Sequence, residues 1–196
     1  MIYLVRHGQT EFNAARRMQG HLDPPLTALG RAQAQAAAAL LAREIGDPAG
    51  WRLVSSPLGR TQVTARIVGE ALGLPIEIDH RVIEVSCGDW EGCNRDELAQ
   101  EHPELFVTFG WIFHGPGGET YDQVRDRIAH WLTDLEPEPE RRVIVVSHGG
   151  AGRVIRGAYM GWDRAATLDQ EVPQDAVYRL VNGAIARLDC DVPAPA

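Results

Sequence analysis

Two patterns of apolar residues alternate along this chain. Residues 1–5 (Met-Ile-Tyr-Leu-Val) and 143–146 (Val-Ile-Val-Val) are unbroken apolar runs, and residues 52–55 hold the shorter pair Leu53-Val54. Runs of this length read as strands, buried on both faces where β-branched residues dominate. Between them, apolar residues return every three to four positions. Leu29, Ala36, Leu40 and Leu41 mark a helix with Thr27 as its N-cap and Gly46 and Pro48 as its stop. Thr64, Ile67, Val68, Ala71 and Leu72 mark a second helix over residues 61–72, closed by Gly73 and Pro75. Tyr121, Val124, Ile128, Trp131, Leu132 and Leu135 follow the helical spacing most closely, and a further helix is expected over residues 152–160.

The remaining segments are punctuation and cover. Residues 76–85 read as extended, and Asn94 with Glu97 reads as a capping box for a short helix through Leu98. Residues 103–118 mix Phe106, Phe109, Trp111 and Phe113 with four glycines, which suits a folded flap, here bounded at about residues 88–118. The prolines of residues 136–140 exclude a helix there. Asn182-Gly183 between two apolar runs is a two-residue hairpin signal. The alternation predicts an α/β fold: one three-layer sandwich over residues 1–190, with a mostly parallel central sheet, helices on both faces and a small flap insertion. Residues 191–196, carrying Pro193 and Pro195, are expected to fray.

Composition narrows the function classes. The length of 196 residues with 44% hydrophobic and 23% charged residues is that of one compact domain. A net charge of -8 argues against a nucleic-acid partner, which would need a basic surface. All 19 basic residues are arginine, so Schiff-base chemistry, pyridoxal phosphate and the Walker-A phosphate loop are excluded. Cys87, Cys93 and Cys190 form neither an even disulfide set nor a C-x-x-C pair, and no leader or membrane span is legible, so a cytoplasmic protein without a membrane partner is expected. His21, His80, His102, His114 and His130 fall in no ligand spacing, and no metal or other cofactor is expected.

The chemistry lies at strand tips. The first strand runs into Arg6-His7-Gly8, the 143–146 strand into Ser147-His148-Gly149-Gly150, and the 52–55 strand into Ser56-Pro57-Leu58-Gly59-Arg60. In an open parallel sheet, ligands bind beyond the carboxyl ends of the strands, so these tips are expected to share one pocket. Arg6 and Arg60 offer donor forks that match phosphate oxygens, and His148, once protonated, would add a further positive donor. His7 is the candidate nucleophile, because cationic neighbours favour a neutral, attacking imidazole. Glu84 is the candidate proton donor to the leaving group, with Glu77, Asp79, Glu91 and Glu119 as other carboxylates within range of the same role.

These residues carry a resemblance. The run Leu4-Val5-Arg6-His7-Gly8-Gln9-Thr10-Glu11-Phe12-Asn13 resembles the N-terminal signature of the histidine phosphatase superfamily, in its phosphoglycerate mutase-like branch. The likeness continues through residues 19–27, 55–61, 88–92, 117–120 and 147–150, in the family's order. It implies His7 as the phosphorylated nucleophile, Arg6, Arg60 and His148 as the rest of the phosphate pocket, and Glu84 as the proton donor. It also implies phosphate contacts from Asn13, Gln19, Gly20 and Gly149. Cys87 and Cys93 depart from the apolar or hydroxyl residues expected around the Gly88–Gly92 motif.

The implied function is a metal-independent phosphatase that hydrolyses small phosphomonoesters through a phosphohistidine. A cofactor-dependent phosphoglycerate mutase is the alternative, and a non-catalytic phosphate-binding module is the third reading. The short segment between Gly92 and Glu119, rich in glycine, argues for an incompletely sealing flap and hence for water as acceptor. The sequence leaves the ester open, among sugar phosphates, phosphoglycerates, a cobalamin-precursor nucleotide and small acyl or aryl phosphates. A homodimer through an exposed strand or hairpin is compatible with it.

Overall fold

The computed structural model describes residues 1–192; positions 193–196 of the expected tail lie outside the described residues. Six strands form one sheet: β1 (Ile2–Arg6), β2 (Arg52–Ser55), β3 (Ile76–Ile78), β4 (Val143–Ser147), β5 (Ala176–Val181) and β6 (Ala184–Asp189). Their order is β3-β2-β4-β1-β5-β6. The first four are mutually parallel, while β5 runs antiparallel to β1 and β6 to β5.

Seven helices complete the fold: α1 (Glu11–Ala14), α2 (Ala28–Ile45), α3 (Gly59–Leu72), α4 (Arg95–Glu101), α5 (Tyr121–Thr133), α6 (Gly149–Met160) and α7 (Arg164–Leu168). Side chains alternate across a strand, so each central strand feeds two cores. Ile2, Leu4, Val143 and Val145 pack with Val124, Ile128, Trp131, Val154 and Ile155 of α5 and α6. Tyr3, Val5, Ile144 and Val146 pack on the other face with Leu41, Ala65 and Val68 of α2 and α3. All five residues of β4 are buried, as its uninterrupted apolar run requires.

The structure corrects several element boundaries. Residues 76–85 are not one extended segment: β3 stops at Ile78, and a 3-10 turn over His80–Val82 follows, with the Asp79 carboxylate accepting from the Arg81 N–H at 2.9 Å. Helices α3 and α6 begin earlier than residues 61 and 152, at Gly59 and Gly149. Neither has a local side-chain cap; distant carboxylates supply the caps instead, as described below. Asn94 caps α4 by accepting from the Asp96 and Glu97 N–H groups, but only half of the expected box forms, and the helix runs on to Glu101. Helices α1 and α7 are additional, short and capped by Thr10 and Asp163. In the hairpin, Asn182 and Gly183 adopt φ of 51° and 69°, the pair of positive values that a tight two-residue turn demands.

The flap is packed rather than free. A 3-10 helix over Phe109–Phe113 buries Gly110 and Ile112, and Phe106 stacks on Trp111 with ring centroids 4.9 Å apart. Cys87 is buried and Cys93 half-buried, both as free thiols.

Candidate functional site

Parallel pairing of β2, β4 and β1 brings their carboxyl ends to one edge. The ladder continues into the tips: the His7 N–H donates to Ser147 O at 3.1 Å, and the Ser56 N–H to Val146 O at 3.1 Å. His7 and His148 therefore stand side by side, with ring centroids 5.2 Å apart and edge to face. Both are buried. The loop after His7 crosses the start of α2 so closely that a Cβ on Gly8 would come within 2.0 Å of Gly30 O, which makes glycine the only fit there.

Hydrogen bonds set the tautomers. Nδ1–H of His7 donates to Gly8 O at 2.8 Å, which leaves Nε2 as the nitrogen with a free lone pair. His148 Nε2 lies 2.7 Å from Ser56 Oγ, which also accepts from the Leu58 N–H at 3.4 Å; with the hydroxyl donating to Nε2, Nδ1 of His148 carries the ring proton. Burial, followed by the Arg60 and Arg6 cations, holds the His7 imidazole well below its ordinary pKa. Burial and the same arginines, with His7, do so for His148. His148 is thus neutral in this pocket, and the protonation on which its role as a positive donor was conditional is disfavoured here.

This has a consequence for stability. Both imidazoles are neutral in the folded chain, whereas the unfolded chain takes up two protons as pH falls through about 6.5. The unfolded state binds more protons there, so the stabilisation present above pH 6.5 is lost below it. Urea unfolding in phosphate-free buffer should give a lower stability at pH 5.5 than at pH 7.5, by about 1 kcal/mol for each imidazole. An equal stability at the two values would show that the pair is protonated in the folded chain.

Two buried arginines flank the pair. Arg60, 2% exposed, donates from Nη1 to Leu22 O at 2.5 Å and from Nη2 to Gly20 O at 2.8 Å. Arg6 donates from Nη1 to Val172 O, and its pKa is lowered to about 10, chiefly by burial. The Nε of each arginine, and Nδ1 of His148, are buried without a partner. Gly149 lies against Arg6, a Cβ there reaching 3.5 Å from the guanidinium.

Remote carboxylates start the two helices that follow the tips. Asp23 accepts from the Gly59 and Arg60 N–H groups at the start of α3. Glu84, itself buried, accepts at the start of α6 from Gly150 at 3.1 Å and Ala151 at 2.8 Å, and from its neighbour Val85 at 2.9 Å. A Cβ on Gly150 would sit 2.8 Å from Glu84 Oε1, so glycine makes room for this carboxyl. The backbone of Glu84 is fixed as well, its carbonyl accepting from His21 Nε2 at 2.9 Å and Arg127 Nη2 at 3.1 Å. The other carboxylates are occupied elsewhere. Glu91 accepts from His21, Ser86 and Cys87, Glu119 pairs with Arg127 at 2.9 Å, Glu77 pairs with Arg52 and Asp79 with Arg81.

Asn13 and Gln19 lie beside Thr10: Asn13 Oδ1 accepts from the Thr10 N–H at 3.2 Å, and Gln19 Oε1 from its hydroxyl at 2.7 Å. One participant is absent from the sequence reading. Gln174 Nε2 donates to His7 O at 3.2 Å and to Asn13 Oδ1 at 3.0 Å, tying the loop before β5 to the first strand tip. It lies in a patternless loop, so no periodicity or spacing could have indicated it. Among the described residues no group of three or more His, Cys, Asp or Glu side chains is placed to hold a metal ion, and no helix is long and apolar enough to cross a membrane.

An α/β sheet whose parallel strand tips present a neutral imidazole among buried, unpartnered N–H donors defines a phosphoryl-handling enzyme. Comparison with known proteins supplies the family. The family profile described as histidine phosphatase superfamily (branch 1) matches residues 2–183. The chain belongs to this superfamily and is a phosphatase of its fold. It is 37% identical over 172 residues to glucosyl-3-phosphoglycerate phosphatase of Mycolicibacterium vanbaalenii, covering 82% of this chain and 74% of that one. It is 36% identical over 198 residues to the probable phosphoglycerate mutase GpmB of an Enterobacter species, covering 96% of this chain and 84% of the relative. Among solved structures, a mycobacterial glucosyl-3-phosphoglycerate phosphatase in complex with VO3 superposes with a TM-score of 0.80 at 33% identity, over 97% of this chain and 96% of that one.

Proposed function

We propose that the chain hydrolyses small phosphomonoesters through a phosphohistidine at His7, with water as the final acceptor. The observation that carries this reading is the set of buried, unpartnered N–H groups around His7: Arg6 Nε, Arg60 Nε and His148 Nδ1. Leaving buried donors unmade is costly, and the oxygens of a phosphoryl group satisfy all three at once.

His7 Nε2 attacks phosphorus in line, the P–O bond to the leaving group breaks, and Glu84 delivers a proton to the departing oxygen. The Glu84 carboxylate then accepts a proton from water as that water attacks phosphorus, the P–N bond breaks, and inorganic phosphate leaves with His7 neutral again. Arg6, Arg60 and the neutral His148 donate to the equatorial oxygens throughout, where charge accumulates. Asn13, Gln19, Gly20 and Gly149 bound the same pocket. Gln19 supports its wall through Thr10, and Gly20 orients Arg60 through its carbonyl.

Glu84→Gln separates chemistry from capping. Glutamine still accepts an N–H but carries no proton to give, so turnover of p-nitrophenyl phosphate should persist at a reduced rate while alkyl phosphates lose a further 10²-fold or about that. Equal losses for both would assign Glu84 to structure alone. The reading as a whole is tested with a panel of phosphomonoesters, phosphoglycerates included, assayed for free phosphate with and without excess EDTA. Release that survives chelation and is inhibited competitively by vanadate supports it. Isomerisation of 3-phosphoglycerate faster than phosphate release, and dependent on a bisphosphate primer, would make the mutase reading correct.

A further inference from the structure

Two buried cations of α6, Arg153 and Arg156, have no task in this mechanism, and of the two it is Arg153 that keeps an unpartnered N–H. Arg153 lies on α6 three and four positions beyond Gly150 and Gly149, hence on the same helix face, one turn from the groups that meet Glu84 and Arg6. It is 7% exposed, its Nε donates to Gln170 O at 2.5 Å, and its guanidinium carbon sits 3.4 Å from the centre of the Phe109 ring. Its Nη1 is buried without a partner. Burial, with Arg156 and Arg6 close by, pushes its pKa down to about 10, so it remains charged at neutral pH. A desolvated cation that faces two other cations is costly unless an anion arrives.

The surroundings of Arg153 show where such an anion would belong. A cavity of about 730 Å³ opens between the flap and α7, lined by Thr108, Phe109, His114, Arg164, Leu168 and Asp169 among others. Phe109, which covers the guanidinium, and Asp169, which precedes the carbonyl that Arg153 holds, both belong to that wall. Arg153 therefore adjoins the wall of this cavity through Phe109 and lies close enough to Arg6 and Glu84 of the phosphoryl pocket to feel their charges.

We propose that Arg153 is a specificity-determining residue that pairs with a carboxylate carried by the leaving group, and that the cavity between the flap and α7 receives whatever extends beyond that carboxylate. The inference rests on the phosphatase reading above. Glu84 meets α6 at the Gly150 and Ala151 N–H groups and Arg153 leaves the helix one turn further on, a rise of about 5 Å, a span that suits an ester oxygen and a carboxylate three bonds away. The carboxylate would meet Arg153 at its unpartnered Nη1 edge, with the Phe109 ring against the guanidinium face.

The test compares two esters that differ only at this point, 3-phosphoglycerate and glycerol 3-phosphate. In Arg153→Gln the ratio of kcat/KM for the first to that for the second should fall at least about tenfold, the scale of a charge-assisted hydrogen bond. Arg153→Lys should lose less of that ratio than Arg153→Gln. On the wild-type enzyme, where folding is not in question, D-glycerate should inhibit at a concentration about tenfold below that needed for glycerol. A parallel decline for both esters in Arg153→Gln, as a purely structural role would give, or equal inhibition by glycerate and glycerol, overturns the inference and leaves the phosphatase reading intact. Absence of phosphate release from every ester overturns the phosphatase reading itself, and the inference with it.

Discussion

Replacing His7 with alanine should lower kcat/KM for any phosphomonoester by at least about 10³-fold, some 4 kcal/mol of transition-state free energy. The size follows from the position. His7 offers Nε2 as the free nitrogen because Nδ1–H is committed to Gly8 O, and burial with Arg60 and Arg6 keeps the ring neutral and ready to attack. The neighbouring imidazoles are engaged elsewhere: His148 Nε2 is paired with Ser56 Oγ, and His21 Nε2 with the Glu84 carbonyl. The variant should remain folded and still bind vanadate, since the arginine donors are intact. Activity within tenfold of wild type would rule out His7 as the nucleophile.

The second large effect is expected at Arg60. Arg60→Ala should reduce kcat by about 10²–10³-fold and weaken vanadate inhibition, because it removes a donor aimed at charge that develops on phosphorus-bound oxygens. Arg60→Lys should recover little of this. The native guanidinium is braced at both Nη atoms by the carbonyls of Leu22 and Gly20, which fixes the direction of Nε; an ammonium on a flexible stem cannot reproduce that fork. Initial-rate kinetics for both variants, with vanadate as competitor, provide the check. Unchanged vanadate inhibition in Arg60→Ala would place this residue outside the phosphate pocket.

Much of the fold and the site was legible before the structure, for identifiable reasons. Val143–Ser147 reads as a buried strand because an unbroken β-branched run has nowhere else to go, and β1, β2 and α5 follow from period alone. The convergence of Arg6, His7, Arg60 and His148 follows from parallel strands ending at one edge. What the sequence concealed depends on contacts distant along the chain. The sequence pattern starts α3 and α6 too late because their caps, Asp23 and Glu84, lie 36 and 66 residues away in sequence from the Gly59 and Gly150 N–H groups from which they accept. Residues 76–85 looked extended because nothing in their apolar pattern reveals the local Asp79–Arg81 hydrogen bond that turns the chain.

The charge of His148 is hidden from the sequence for a related reason. A histidine beside a phosphate pocket suggests an imidazolium, but complete burial next to two arginines makes the neutral donor the lower-energy form. The loop before β5 was equally opaque. Gln170, Glu171 and Val172 present three consecutive carbonyls to Arg153, Arg156 and Arg6, and Gln174 reaches His7 and Asn13, yet none of these loop residues shows a pattern in sequence. A loop that satisfies buried arginines through its backbone leaves its side chains free of any compositional signature.

The central claim is covalent transfer to His7, and it is tested most directly by trapping the intermediate. Wild-type protein mixed with a ³²P-labelled phosphomonoester and quenched with denaturant within the first turnovers should carry label that is stable to alkali, labile to acid, and located by peptide mapping at His7. His7→Ala should carry none. Steady phosphate release from an enzyme that is never labelled, or label found on a residue other than His7, would contradict the account.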